Sequence, residues 1–378
     1  MVMLEMEFRL SDVRKKIELL CLGLRRNIVV DEVYDKQNPY DLTRTGNVGL
    51  QLQIGAAKIA ANVPVLNKFC DNSPYSLGSL GKDYFLVDDR GSSSEISIIQ
   101  SPSWYMESLG SGCYAGQYLL QEGVDTLIAS ITDSCGYVTN GTQCRFCAIS
   151  HNSKNNVKES PASRKNHIKD ALRLALQDVK KYASVNLTGG NTFTPDHGAL
   201  GYIEFIEAIR NVSDIPICIE MSPPDNIIYL KKLHDAGASA VMMNIEMWNE
   251  DDRKYIMPGK SVIQKADYMR AWEDAVRLFG SGNVSSVIIA GLEDESYVRE
   301  AIVSMTEVGV IPSIMPFRPN DGSAMQKHPT TNPDLVEGLS KYAAEMIIKK
   351  TIPINNLPGC IGCGACSVEL DFAKLRDN

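Results

Sequence analysis

The chain has 378 residues, 44% hydrophobic and 22% charged, enough for one large α/β domain with additions or for two domains. A formal net charge of −8 excludes the basic footprint of a nucleic-acid binder, and no apolar run reaches the roughly 20 residues of a membrane span. Met1 to Leu10 mixes acids with apolar residues and lacks a basic leading segment, so no secretory signal is expected and the chain reads as cytoplasmic.

Residues 1–124 read as an α+β extension. Ser11 is placed to cap a helix running to about Arg25, with Val13, Ile17, Leu20 and Leu24 on one face. Residues 48–54 alternate like a strand. Residues 62–65 and 72–75 carry turn signals, and residues 84–87 and 96–99 pair as a hairpin around Asp88 to Gly91.

From about residue 125 strand and helix signals alternate. Strands are expected at 125–132, 184–188, 215–221, 240–247, 284–290 and 311–317, and helices at 164–181, 201–212, 226–236, 261–279, 296–308 and 333–350. Six β/α units in series mean a parallel sheet with right-handed crossovers, either open and doubly wound or curled into a barrel. In both cases the active site gathers at the carboxyl ends of the strands. Polar and special residues stand there: a cysteine loop, Gly189-Gly190-Asn191, Glu220, Asn244 with Glu246, Gly291 to Asp294, and Arg318. Met242, Asn244 and Glu246 share one strand face by the period of two. Asp196 and His197 read first as a turn and a cap.

Six of the ten cysteines fall into two groups. In a reducing compartment, clustered cysteines point to metal rather than to disulfides. Cys135, Cys144 and Cys147 follow the first strand of the series in a loop rich in Gly, Asn and Thr. Three soft ligands suit an iron–sulfur cluster with one iron left open, whereas four would close the site. Cys360, Cys363 and Cys366, two residues between each, have ferredoxin-type spacing with Ser367 next in the chain. A zinc site using His151 is the alternative for the first group, and zinc or a redox-inert role for the second. Cys21, Cys70, Cys113 and Cys218 read as buried small hydrophobes, the first three also standing as distant candidates for a fourth ligand of the second group.

The first group, with Phe146 just before its last cysteine, resembles the radical S-adenosylmethionine superfamily, although the first gap is wider than usual. The resemblance implies a partial (β/α)6 TIM-like barrel over residues 125–350, between the extension and a cluster-binding tail at 351–378. It implies that Cys135, Cys144 and Cys147 bind three irons of a 4Fe–4S cluster whose fourth iron chelates S-adenosylmethionine, the source of a 5′-deoxyadenosyl radical. Thr188-Gly189-Gly190-Asn191 resembles the Gly-Gly-Glu motif after the second strand, with Asn191 in place of Glu. By the same resemblance Glu220, Gly291 and Arg318 contact the cofactor, and Phe146, Asn244 and Glu246 join them as candidates. Alone, the glycine pair reads equally as a tight turn, and Glu220, Glu246 and Arg318 equally as buried ion pairs.

From Asn62-Val63-Pro64 and Ser73-Pro74-Tyr75 through Met257-Pro258-Gly259-Lys260, Pro316-Phe317-Arg318-Pro319 and the terminal cysteine group, the whole chain is similar to biotin-synthase-related proteins, including one from nitrilase-containing gene clusters, and to lipoyl synthase. In these a second 4Fe–4S cluster is sacrificed as a sulfur source, and lipoyl synthase pairs three cysteines with a serine there. The resemblance implies hydrogen abstraction from an unactivated carbon and sulfur insertion, a small-molecule or acyl-carrier-bound substrate, and ferredoxin or flavodoxin as reductant. The alternatives are another radical outcome, such as rearrangement or dehydrogenation, with the second cluster as an electron relay, or a non-catalytic iron–sulfur electron carrier or zinc-stabilised binding module.

Overall fold

A computed structural model describes residues 10–40, 49–110, 112–152 and 158–376. The expected strand residue Val48, the leading residues 1–9 and the last two residues of the charged tail lie outside them. Two helices come first, α1 (Leu10–Leu22) and α2 (Ile28–Gln37). Five strands follow: β1 (Gly49–Ile54), β2 (Ile59–Pro64), β3 (Tyr75–Leu80), β4 (Asp83–Asp88) and β5 (Ser93–Ile98). They form one antiparallel sheet in the order β2-β1-β5-β4-β3, whose apolar face packs on α1 and α2 through Leu19, Val30, Val33, Leu50, Leu52 and Val63. The expected hairpin is there, with Tyr84 opposite Ile96. Ser11 lies inside α1 rather than before it. Residues 62–64, inside the stretch 62–65 read as a turn, instead finish β2; Pro64 is tolerated because it ends an edge strand, where a missing N–H costs the ladder little.

Two short strands, β6 (Ser108–Gly110) and β7 (Cys113–Tyr114), precede the main sheet, which begins with the hairpin β8 (Leu120–Glu122) and β9 (Thr126–Ser130). The cysteine loop carries the short helices α3 (Gly136–Thr139) and α4 (Ile149–Asn152). Alternation then sets in: α5 (Pro161–Ala175), β10 (Ser184–Thr188), α6 (Ile203–Arg210), β11 (Ile217–Met221), α7 (Ile227–Ala236), β12 (Ala240–Met243), α8 (Glu250–Ile256), α9 (Lys265–Phe279), β13 (Val284–Ala290), α10 (Glu295–Glu307), β14 (Ile311–Pro316) and α11 (Pro333–Lys349). Two tail helices close the chain, α12 (Gly359–Cys363) and α13 (Glu369–Arg376).

The main sheet has seven strands in the order β14-β13-β12-β11-β10-β9-β8. Six are parallel, as expected, and the seventh, β8, is an antiparallel addition from before residue 125. Ile128 on β9 and Met315 on β14 line one cavity although they stand five strands apart, so the sheet curls into a half-barrel. The strands obey a period of two. Leu127, Val185, Leu187, Ile217 and Val241 face the helices, while Cys218, Met242, Val287 and Met315 face inward.

Departures from the sequence reading have local causes. The α5 helix ends at Ala175, not near residue 181, because its buried face stops there and Val179 is exposed. The β12 strand stops at Met243: Asn244 Oδ1 accepts the Val287 N–H at 3.0 Å, and Ser286 Oγ accepts that of Ile245. Side chains thus replace the ladder until Glu246 bridges to Ile288. The tail is helical because Leu370, Phe372 and Ala373 are buried. Among the described residues no helix is long and apolar enough to cross a membrane.

The tail is tied down by polar bonds. Lys16, 1% exposed, donates through Nζ to Gly364 O and Asp371 Oδ2, each at 2.7 Å. Replacing Lys16 by Ala leaves Asp371 without its buried partner and is expected to destabilise the chain by about 3–5 kcal/mol. A urea midpoint unchanged from the parent would refute this. The Lys16→Met/Asp371→Leu pair should recover part of the loss.

Candidate active site

The six parallel strands end on one rim, and the first cysteine group lies there. After β9, Ile131 N still bonds Thr188 O at 2.8 Å; the chain then turns into the loop. Three backbone bonds fix that loop: Gly136 N to Asn191 O at 2.7 Å, Arg145 N to Ile256 O at 2.8 Å and Gly259 N to Thr142 O at 3.0 Å. It is therefore held between the end of β10 and the end of α8. Gly190 is required by this approach, since a Cβ there would lie 1.9 Å from Ser134 O and 2.6 Å from the Cys135 Cα. Asn191 Nδ2 donates to the Tyr137 hydroxyl inside the loop.

The second cysteine group enters the half-barrel from the opposite end. Gly359 N donates to the hydroxyl of Ser184, the first residue of β10, at 2.9 Å. Cys360 packs on the inward cluster of Cys218, Ala240, Met242 and Val287. Between the two groups lies a cavity of about 340 Å³, walled by Cys135, Cys144 and Cys147 and by Cys360 and Cys366.

Phe146, Thr188, Gly189, Gly190, Asn191, Glu220, Asn244, Glu246 and Arg318 all reach this wall. Gly291 does not; it packs against Thr331, whose hydroxyl donates to Ala290 O at 2.7 Å. Cys363 and Ser367 line a smaller recess on the far side of the tail with Lys16 and Asp371. The Ser367 hydroxyl donates to Glu369 Oε1 at 2.7 Å, and burial holds the Glu369 carboxyl up to about 7. Asp196 is the cap that its sequence suggests, accepting Leu200 N at 2.9 Å, while His197 lines the cavity. His151 packs beside Gly322, off the wall, so the zinc alternative lacks its fourth ligand. Among the described residues no three Cys, His, Asp or Glu side chains stand close enough to hold a single ion. An iron–sulfur cube spreads its thiolates wider than an ion does, so that spacing bears on single-ion sites alone.

Sequence reasoning missed Glu122, Tyr202, Lys260 and Asn320 on the wall. Tyr202 OH donates to Glu220 O at 2.5 Å, and Asn244 Nδ2 donates to Glu220 Oε1 at 2.8 Å. Burial pushes the Glu220 carboxyl above its ordinary range despite the bond from Asn244. Lys260 Nζ bonds Glu246 Oε1 at 2.7 Å. Burial works against the Lys260 charge, but Glu246 beside it holds the ammonium above its ordinary value. Glu246 sits at φ +60°, a left-handed backbone that a non-glycine residue keeps only where its surroundings impose it. Met257-Pro258-Gly259-Lys260 was the one visible signal for Lys260.

The donor set fits a cluster with a polar organic ligand. Burial pushes the Cys144 and Cys147 thiols up, so ligation of iron there must release protons. Four atoms of cavity-lining residues are buried without a hydrogen-bond partner among the described residues: Glu246 Oε2, Arg318 Nη2, Asn320 Oδ1 and His197 Nδ1. Unpaired buried polar atoms are costly, and a zwitterionic nucleoside ligand supplies both donors and acceptors for them.

A family model described as the radical SAM superfamily matches residues 134–304. The bacteriochlorophyllide c C-7(1)-hydroxylase of Chlorobaculum limnaeum is 25% identical over 264 residues, 65% of this chain. That match takes in 66% of the hydroxylase, just short of two thirds of its length. Among solved structures, methylornithine synthase aligns with a TM-score of 0.47 at 16% identity, covering 62% of this chain and 64% of that one. A radical SAM methyltransferase from Sphaerobacter thermophilus aligns with a TM-score of 0.46 at 13% identity, covering 78% and 80%.

Gly190→Ala should force the cysteine loop off β10 and cost about 1–3 kcal/mol. Anaerobic iron loading of the first group should fall with it. Wild-type thermal stability together with wild-type iron content would show that the loop does not depend on this contact.

Proposed function

From the radical SAM superfamily, which the match over residues 134–304 supports, we infer an enzyme that removes hydrogen from an unactivated carbon of a small substrate held between two iron–sulfur clusters. That family brings S-adenosylmethionine and a 4Fe–4S cluster, which when bound supply a carbon-centred oxidant strong enough for such a bond. In this reading Cys135, Cys144 and Cys147 hold the first cluster, and Cys360, Cys363 and Cys366 hold a second, auxiliary 4Fe–4S cluster. The observation that carries it is that both cysteine groups open on one cavity from opposite ends.

The chain's own residues then have separable tasks. Asn191, Arg318 and Asn320 face the cavity with polar atoms suited to the amino acid and nucleoside parts of the cofactor. The Lys260–Glu246 ion pair, neutral as a whole, fixes an ammonium and a carboxylate beside the first thiols, and Met242, Val287 and Ile289 give the substrate an apolar, water-poor wall. Residues 1–124 act as the housing of the second group, residues 125–350 as the catalytic barrel and 351–378 as the cluster-bearing tail. The electron comes from a ferredoxin or flavodoxin, and the substrate is a small molecule or an acyl chain on a carrier.

We propose sulfur insertion as the outcome, because a cluster at the substrate's far side would offer a bridging sulfide to the carbon that lost hydrogen: a C–S bond would form as an iron–sulfur bond breaks, and the one electron released would reduce an Fe(III) of that cluster to Fe(II). A second reading, oxidation at the same carbon with the tail cluster relaying the electron, is favoured by the hydroxylase relative. Alanine at Cys135, Cys144 or Cys147 should abolish 5′-deoxyadenosine formation in the dithionite-reduced protein. Alanine at Cys360, Cys363 or Cys366 should leave that cleavage measurable while ending product formation. Loading the tail cluster with isotopically labelled sulfide separates the outcomes: label in the product supports sulfur insertion, and an unlabelled oxidised product refutes it.

A further inference from the structure

The three tail cysteines provide for three irons of a cube, and the fourth needs another ligand. We infer that Glu122 is that ligand, an oxygen donor from the strand that precedes the barrel; the inference rests on the auxiliary cluster proposed above. Glu122 ends β8 and shares the cavity wall with Cys360 and Cys366. The third cysteine meets the next residue: a Cβ on Gly123 would lie 2.6 Å from Cys363 Sγ. The turn after β8 therefore wraps the tail cysteines closely, and Gly123 at φ +57° both makes the turn and leaves room for that sulfur.

The turn is rigidly placed. Glu122 is paired with Thr126 in the β8–β9 hairpin. Gly123 N donates to Gln51 Oε1 at 3.0 Å, and Gln121 N bonds the Tyr105 hydroxyl at 2.6 Å.

The other candidates are less well placed. Ser367 shares the far recess with Cys363, but its hydroxyl is turned to the buried Glu369, 2.7 Å away. Cys218 touches Cys360 but sits in the apolar cluster with Ala240 and Met242. A carboxylate carries the same charge as a thiolate, so the cluster's charge is unchanged, but it is the harder and weaker partner for iron. One iron would thus be held less firmly than the other three, which suits a cluster that is opened in use.

The test uses the full chain with Cys135, Cys144 and Cys147 replaced by Ala, so that only the tail group takes up iron. Loaded anaerobically with iron and sulfide, this parent should hold about four irons. Adding Glu122→Ala should speed removal of one iron by a chelator about tenfold and give a three-iron paramagnetic signal on mild oxidation. Adding Glu122→Cys should slow that removal below the parent's rate, and it carries the test if the alanine variant does not fold. Chelator rates and paramagnetic spectra that match the parent's in both variants would overturn the Glu122 assignment alone. A parent without iron would overturn the auxiliary cluster itself, and Glu122's role with it.

Discussion

The structure depends on how an unclosed barrel is sealed. Seven strands curl but do not close, which leaves inward polar groups and two sheet edges to be covered. The tail does this work. Gly359 N meets Ser184, Cys360 fills the inward cluster, and Glu369 Oε2 accepts the Ile314 N–H on the edge strand β14 at 3.3 Å. Lys16 from α1 and Asn62 N from β2 then bind Gly364 O and Ala365 O, at 2.7 and 2.9 Å. The first and last parts of the chain meet around the second cysteine group.

That seal also creates the chamber. A tail that enters from the amino ends of the strands cannot fill the space below the cysteine loop at their carboxyl ends. The inward faces leave a mixed surface between them, with Met242 and Val287 near Glu220 and Asn244. A fully apolar lining would have favoured collapse. The hydrogen bonds from Tyr202 and Asn244 to Glu220 let polar groups stay buried and the space stay open.

Much of this was legible in the sequence, because hydrophobic period and glycine stops are local signals. The strands at 184–188 and 284–290 match to the residue, and the helices ending before Gly237 and Gly280 stop where those glycines stand. Asn244 and Glu246 were found on the cavity by a period of two, although the strand itself breaks at Met243. What was not legible depends on contacts distant in the chain. Nothing local marks Glu122 or Lys16 as neighbours of cysteines more than two hundred residues later in the sequence, and the helicity of the tail depends on the barrel it packs against. The turn signal at residues 62–65 was real, since Pro64 does end a strand, but propensity could not count Asn62 and Val63 into the ladder with Gln51 and Leu50.

The glycine pair after β10 is a structural requirement that also positions a residue on the cavity wall. Gly190 is needed because backbone from the cysteine loop occupies the space of its Cβ. The same contact brings the Asn191 side chain to the Tyr137 hydroxyl and onto the cavity wall. A side chain at residue 190 would push Cys135 away from Cys144 and Cys147, which are fixed separately through Arg145 N on α8. The spacing of the three thiols is therefore set by two distant elements packing on one loop. This explains how a gap of eight residues between Cys135 and Cys144 is compatible with a three-thiolate site: the intervening chain forms α3 and returns, so the number of residues in it does not decide the distance across it.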